Sequence, residues 1–268
     1  MPVEIDPHAL DGFEKYSFSS NGRTHDVYRI GTGPAVIVIH EIPGLTPQVA
    51  AFARRVAERG MTAVAPDLFG TPGRAMTMPY ALKEMARACV SREFTMLALG
   101  KASPVTRYLR ALAAAEHAKR GGPGVGAVGM CLTGGFALAM SVDSVMLAPV
   151  LSQPSLPMPV NAEHRRALGI SDEDLRVLKG RASEGLCVMG LRFTGDTTSP
   201  AERFARLREE LGDNFVGVEI DSSEGNPWGY RKGAHSVLTE DYSDAEGSPT
   251  RKALEEVLDF FASRLGVN

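Results

Sequence analysis

The strongest constraint in this sequence is an alternation. Short runs of nearly unbroken apolar residues are each followed by a longer stretch with helical periodicity. The runs fall at 35–39, 62–65, 125–129, 144–148, 186–194 and 215–220. A strand with one face in water alternates apolar and polar side chains. Runs that are apolar at almost every position instead suit strands covered on both faces, as in a mainly parallel sheet between helices. Helix starts are marked by Thr46-Pro47, Ser103-Pro104, Ser199-Pro200 and Ser248-Pro249. Each pair offers a hydroxyl to a backbone N–H that the first turn leaves orphaned, and a proline whose fixed φ suits the first helical position. Glu202, three residues after Ser199, extends that signal to a capping box. The pattern predicts helices over 47–59, 104–119, 172–182, 200–211 and 249–264. It also makes 28–33 the end of an early antiparallel hairpin, with Gly31 and Gly33 at the turn. Such strand–helix–strand repetition predicts a doubly wound α/β sheet with helices on both faces.

The chain of 268 residues has no internal repeat and no linker rich in Pro, Gly or Ser, so one domain is expected over 1–268. Two stretches break the rhythm, at about 70–101 and 153–166. They are expected as cap or lid segments, because functional variation in such folds sits in loops beyond the strand ends. The 29 Lys and Arg nearly balance the 32 Asp and Glu, and no basic run offers a track for phosphates, which argues against nucleic acid as a partner. Cys89, Cys131 and Cys187 are too scattered for a disulfide framework and read as reduced thiols. The start of the chain lacks the pattern of a signal peptide, and no apolar run is long enough to span a membrane. A cytoplasmic monomer or small homo-oligomer is the expectation. His8, His25, His117 and His164 show no metal-ligand spacing, so no metal or organic cofactor is expected.

The chemistry points to Gly129-Met130-Cys131-Leu132-Thr133-Gly134-Gly135. An apolar strand runs into small residues around Cys131 and then into an Ala- and Leu-rich helix. This is the sequence form of a nucleophile elbow, a sharp strand-to-helix turn that lifts one side chain above the sheet. Small neighbours are required because the helix passes close to the strand. A cysteine at a helix N-terminus is also favoured as thiolate, the reactive form. A lone cysteine in such a place is more often a small buried hydrophobe. Two other residues change the balance. Asp196 follows the strand 186–194 almost at once, and His235 lies in a loop after a later strand. Nucleophile, acid, histidine is the chain order of α/β-hydrolases, with the histidine taking the proton and the acid fixing its tautomer. Asp221, at the end of the next strand, is the reserve candidate for the acid.

Five segments in order carry a resemblance: His40-Glu41-Ile42-Pro43-Gly44, Ala65-Pro66-Asp67-Leu68-Phe69, the Cys131 elbow, Gly195-Asp196, and Ala234-His235-Ser236. Over most of its length the chain resembles the dienelactone hydrolase family of α/β-hydrolases, which use cysteine in this elbow. The resemblance implies Cys131 as nucleophile, Asp196 as acid and His235 as base. It makes Glu41 the partner of the resting cysteine, and the backbone N–H groups of Ile42 and Leu132 the oxyanion hole. A salt bridge to a neighbouring loop is the plainer role for Glu41. His40 is expected to pack or hydrogen-bond beneath the oxyanion loop.

Two departures bear on the substrate and the elbow. The family usually has Gly two residues after the cysteine, where this chain has Thr133. Enzymes that open dienelactone bind its carboxylate with arginines, one of them four residues after the histidine, where this chain has Thr239. Arg92 is the candidate for another such arginine, with a surface salt bridge as its alternative. Trp228 and Tyr230 are candidates to line the pocket or merely to pack their loop. The function expected is hydrolysis of a small-molecule ester or lactone through an acyl-thioester. The alternatives are a non-catalytic binding protein on the same fold and a thiol-based redox sensor.

Overall fold

The computed structural model describes residues 5–89, 103–156 and 161–267. Eight strands form one sheet in the order β1-β2-β4-β3-β5-β6-β7-β8. They are β1 Glu14–Ser20, β2 Arg23–Gly31, β3 Ala35–Ile39, β4 Thr62–Pro66, β5 Val125–Met130, β6 Met146–Ser152, β7 Val188–Phe193 and β8 Phe215–Ile220. β1 and β2 pair antiparallel, β2 joins β4 antiparallel, and every pairing from β4 to β8 is parallel. This is an α/β-hydrolase fold.

The unbroken apolar runs have the predicted cause. Along β3, Ile37 and Ile39 join one core cluster while Val36 and Val38 join the other, so both faces of the strand are buried. One layer packs α1 (Pro47–Glu58) and α8 (Pro249–Leu265) through Phe52, Val56, Leu254 and Phe261. The opposite layer packs α3 (Pro104–Arg120), α4 (Gly134–Met140), α6 (Asp172–Ser183) and α7 (Ala201–Leu211) through Tyr108, Phe136, Leu178 and Phe204. Two helices lie within the stretches that broke the rhythm, α2 (Met78–Cys89) and the short α5 (Ala162–Arg166). Residues 90–101 of the first stretch, with Arg92, lie outside the described residues, as do 157–160 of the second.

Several local expectations are corrected. The hairpin turns at Asn21 and Gly22, both at positive φ, and Gly31 and Gly33 instead lead from β2 towards β3. Their backbone passes so close to the end of α1 that a Cβ would lie 2.3 Å from Met61 O or 2.2 Å from Gly60 O. The run at 144–148 starts later and extends to Ser152, because Met146 N–H closes a turn on Asp143 C=O (3.0 Å). Thr46, Ser103 and Ser171 do cap their helices through side-chain oxygens. Ser199 and Ser248 do not. Pro200 itself holds the cap position of α7, and Glu202 pairs with Arg165 rather than closing a box. The Ser248 hydroxyl is taken up by Tyr230 and Thr250.

The parallel strands all end at one edge of the sheet, where open α/β sheets place their functional groups. Glu41 follows β3, Cys131 follows β5, Gln153 follows β6, Asp196 follows β7, and the loop after β8 carries His235.

Candidate active site

Cys131 stands at φ +56°, one of three described residues other than glycine with positive φ, and its side chain is almost fully buried. A left-handed conformation is costly for a residue with a Cβ and persists only where its surroundings enforce it. Here the enforcement can be named. A Cβ on Gly129 would lie 2.3 Å from Thr133 O, and one on Gly134 would lie 2.8 Å from Pro154 Cβ. Only glycine lets β5 turn this tightly into α4.

Thr133 completes the turn rather than distorting it. Its hydroxyl accepts from Met130 N–H (2.8 Å) and lies 2.8 Å from both Ile39 O and Met130 O, tying the elbow to the end of β3. Exchange for the similarly shaped valine would strand the Met130 N–H in a dry interior. Thr133→Val is therefore expected to lose about 1–3 kcal/mol of stability, read as a lower urea midpoint at unchanged slope.

The neighbouring groups converge on the cysteine. The Cys131 side chain lies beside the His235 imidazole and acts on it, and His235 Nδ1 donates to Asp196 Oδ2 at 2.6 Å. With Nδ1 so engaged, Nε2 is the nitrogen left for the sulfur. Asp196 Oδ1 accepts from Thr198 N–H (2.9 Å), Thr198 Oγ1 (2.7 Å) and Ser199 N–H (3.3 Å). Burial alone would raise the Asp196 carboxyl; the His235 and Thr198 bonds outweigh it and hold the carboxyl below its ordinary range. Burial would likewise drive His235 neutral, yet the charges of Cys131 and Asp196 raise it well above its ordinary value. The imidazole is thus poised as a cation beside the sulfur.

The loop that carries His235 is fixed by Asp241, whose Oδ2 accepts the N–H groups of His235 (2.7 Å) and Ser236 (3.0 Å). Asp221 is exposed and binds Ser223 N–H (2.9 Å), so the reserve acid takes no part here. His40 is fully buried, with Nδ1 on Glu41 C=O (3.1 Å) and Nε2 accepting Leu68 N–H (3.2 Å). Burial pushes it down to about 4, so it is a neutral strut. Glu41 is buried too. Ser236 Oγ (2.8 Å) and Gln153 Nε2 (3.1 Å) donate to its Oε2, and the Thr239 hydroxyl donates to Oε1. No cation pairs with it among the described residues, so the salt-bridge alternative falls away.

Residues 26–169, more than half of the chain, match the model of the dienelactone hydrolase family. The chain belongs to the dienelactone hydrolase family. Among curated proteins it is similar to a hydrolase fragment, YghX, of Escherichia coli (strain K12), with 49% identity over 43 residues. That match spans 16% of this chain and 37% of YghX. Among solved structures it is similar to a protein assigned as a dienelactone hydrolase from Klebsiella pneumoniae subsp. pneumoniae MGH 78578. The identity is 19% and the TM-score 0.63, covering 93% of this chain and 98% of that one. It is also similar to P91, a dienelactone hydrolase-like promiscuous phosphotriesterase from metagenomic libraries. There the identity is 16% and the TM-score 0.62, covering 95% of this chain and 98% of the other. At such identities the likeness to these structures is one of fold. Membership of the dienelactone hydrolase family places the protein among hydrolases.

For a dienelactone hydrolase family member, the surroundings of the pocket hold departures. The Thr239 hydroxyl binds Glu41 where the resemblance would place an arginine. Tyr230 packs its ring on Phe193 (5.0 Å between centroids) and gives its hydroxyl to Ser248 and Thr250, which is the packing role rather than the pocket-lining one. Trp228 lies beside Gly247 and is 42% exposed. A cavity of about 340 Å³ is lined by Leu68, Phe69, Val105 and Phe136, with Arg23 and Arg87 among its polar groups; Cys131, Asp196 and His235 are not among the described residues that line it. The sequence reading passed over Thr198, Asp241, Arg203 and Gln153. Thr198, two residues after Asp196, had a signal, since an aspartate often binds its own chain two residues on. Arg203 had none: it is a buried cation spent on the carbonyls of Pro154 (2.6 Å), Ala167 (2.6 Å) and His164 (3.1 Å).

Proposed function

We propose that Cys131 is the nucleophile of an ester or lactone hydrolase, with His235 as its acid–base partner and Asp196 as the residue that orients the imidazole. The observation that carries this is the chain of contacts from the Cys131 side chain through His235 to Asp196 Oδ2, 2.6 Å from Nδ1, raised on a strained elbow. The sulfur attacks the substrate carbonyl and forms a tetrahedral oxyanion. β3 and β5 are paired in register through Ile39 and Gly129, so the backbone N–H groups of Ile42 and Leu132 lie at neighbouring strand ends. They serve as the oxyanion hole, where one aimed donor typically contributes ~3–4 kcal/mol. The imidazolium then gives its Nε2 proton to the leaving alkoxide or enolate, and the thioester forms. Water, deprotonated by the now neutral His235, adds to the thioester, and collapse expels the sulfur and frees the acid.

A thiolate leaves more readily than an amine, so the adduct of an amide returns to substrate. Activated esters, enol lactones and thioesters are the substrate class. The carboxyl of Glu41 is bound by Gln153, Ser236 and Thr239 rather than by the cysteine.

Steady turnover of p-nitrophenyl acetate, with loss of activity matching the fraction of Cys131 alkylated by iodoacetamide in peptide mass spectra, is the expected result. Full activity in protein whose Cys131 is completely alkylated would remove the cysteine from the mechanism.

A further inference from the structure

Two residues with strained backbones lie side by side at the reactive edge of the sheet. β5 and β6 pair in register through Met130 and Ser152, and the next residue on each strand is at positive φ: Cys131 at +56° and Gln153 at +38°. The first is explained by the elbow. Gln153 is neither a turn residue nor a glycine, yet it is wholly buried. Strain of this kind is retained where the surrounding contacts over-determine a side chain's direction.

Those contacts tie the strand end to the loops after β3 and β8. The Gln153 N–H donates to Leu191 O on β7 (2.7 Å). Its side-chain Nε2 donates to Glu41 Oε2 (3.1 Å), in the loop that also carries Ile42. Its Oε1 accepts Val237 N–H (3.4 Å), two residues after His235, and also accepts the Ser152 hydroxyl. Two residues further on, Ser155 N–H donates to Cys131 O (2.9 Å). A primary amide is suited to this place because it is donor and acceptor at once. It must show a donor to a carboxylate and an acceptor to a backbone N–H. Neither an ionised carboxylate nor an apolar side chain meets both demands.

We infer that Gln153 is a positioning residue for hydrolysis: its amide sets the Glu41–Ile42 loop against the loop of His235, and so fixes the oxyanion donor relative to the base. The inference rests on Cys131 and His235 acting as proposed above. Gln153 touches no reacting atom and acts through Glu41 and Val237.

Two variants test it. Gln153→Gly accepts the positive φ and removes the amide, so the backbone is relieved while the coupling is lost. Its kcat on p-nitrophenyl acetate is expected to fall about tenfold to a hundredfold, with KM within threefold of wild type, since misplacement by about 1 Å costs on the order of 10²-fold. Gln153→Glu keeps the shape but sets a carboxylate against Glu41. One shared proton restores the donor, so the ratio of variant to wild-type kcat is expected to rise at least fivefold between pH 8 and pH 5.5. The other charged groups around Glu41 and the histidine loop are Glu240, Asp241 with its partner Arg231, and the Asp196–His235 pair. Burial, with Glu41 and Asp241 nearby, pushes Glu240 up to about 7, inside the range tested, so both proteins are compared in a Glu240→Gln background that removes it from the ratio.

A Gln153→Gly kcat within twofold of wild type, or a Gln153→Glu ratio flat with pH, would overturn the inference. So would loss of the folded state in both variants by circular dichroism, because Gln153 would then be a folding residue. Failure of the cysteine mechanism itself is visible separately, as wild-type turnover that survives complete alkylation of Cys131.

Discussion

Cys131→Ala is expected to lower kcat on p-nitrophenyl acetate by on the order of 10⁴-fold or more, leaving only what oxyanion donors and binding achieve without a nucleophile. The change removes one buried sulfur, and alanine occupies the left-handed elbow no more comfortably than cysteine does, so the thermal midpoint should move by only a few degrees. Members of a catalytic unit are not additive. Cys131→Ala combined with His235→Ala should therefore be hardly slower than either alone, whereas two independent contributions would multiply. A second readout needs no turnover. The charge of Cys131 is the largest influence raising His235 against the pull of burial. Without the sulfur, the histidine must titrate lower, towards or below its ordinary value. An imidazole proton resonance that titrates at the same pH in wild type and Cys131→Ala would show that the two groups do not interact. A variant that still turns over at the wild-type rate would end the cysteine mechanism.

How much of this was legible in the sequence follows from what each signal depends on. The parallel strands were readable because burial on both faces leaves a local trace, as in 35–39, where Ile37 and Val38 face different layers and both must be apolar. Cys131, Asp196 and His235 were readable because each closes a recognisable local pattern, and the fold supplies their meeting. The early hairpin was misread because Gly31 and Gly33 do carry a turn-like backbone, but for a different reason: α1 ends against them. Ser199 was misread as a cap because a Ser-Pro pair signals a helix start equally well when proline is the cap residue; the Ser199 N–H instead serves Asp196. Gln153 and Arg203 were out of reach for another reason. Their partners lie on other strands and loops, 112 residues away for Gln153 and Glu41, and no local periodicity encodes such a pairing. Thr133 is the intermediate case. Its departure from the family's glycine was visible, but the bond of its hydroxyl to Ile39 O, which turns the departure into a brace, was not.

Asp196→Asn is expected to cost about 10³–10⁴-fold in kcat, although it changes one atom and leaves the shape of the site intact. The reason lies in how the two carboxylate oxygens are used. Oδ1 already accepts from Thr198 N–H, Thr198 Oγ1 and Ser199 N–H, so an asparagine must place its carbonyl oxygen there to satisfy those donors. Its NH₂ group then faces His235 Nδ1, where the carboxylate Oδ2 had accepted a hydrogen bond from Nδ1–H. A donor facing Nδ1 forces the imidazole to carry its proton on Nε2, the nitrogen directed at Cys131. That tautomer cannot take the thiol proton, and with no anion behind it the imidazolium is no longer favoured. The histidine should accordingly titrate at lower pH than in wild type, and iodoacetamide should alkylate Cys131 more slowly at neutral pH. Asp196→Ala, which leaves the tautomer free to interchange, should be no slower than Asp196→Asn despite being the larger truncation. An Asp196→Asn protein within fivefold of wild-type kcat would mean that the 2.6 Å contact with His235 holds the loop in place without directing the chemistry.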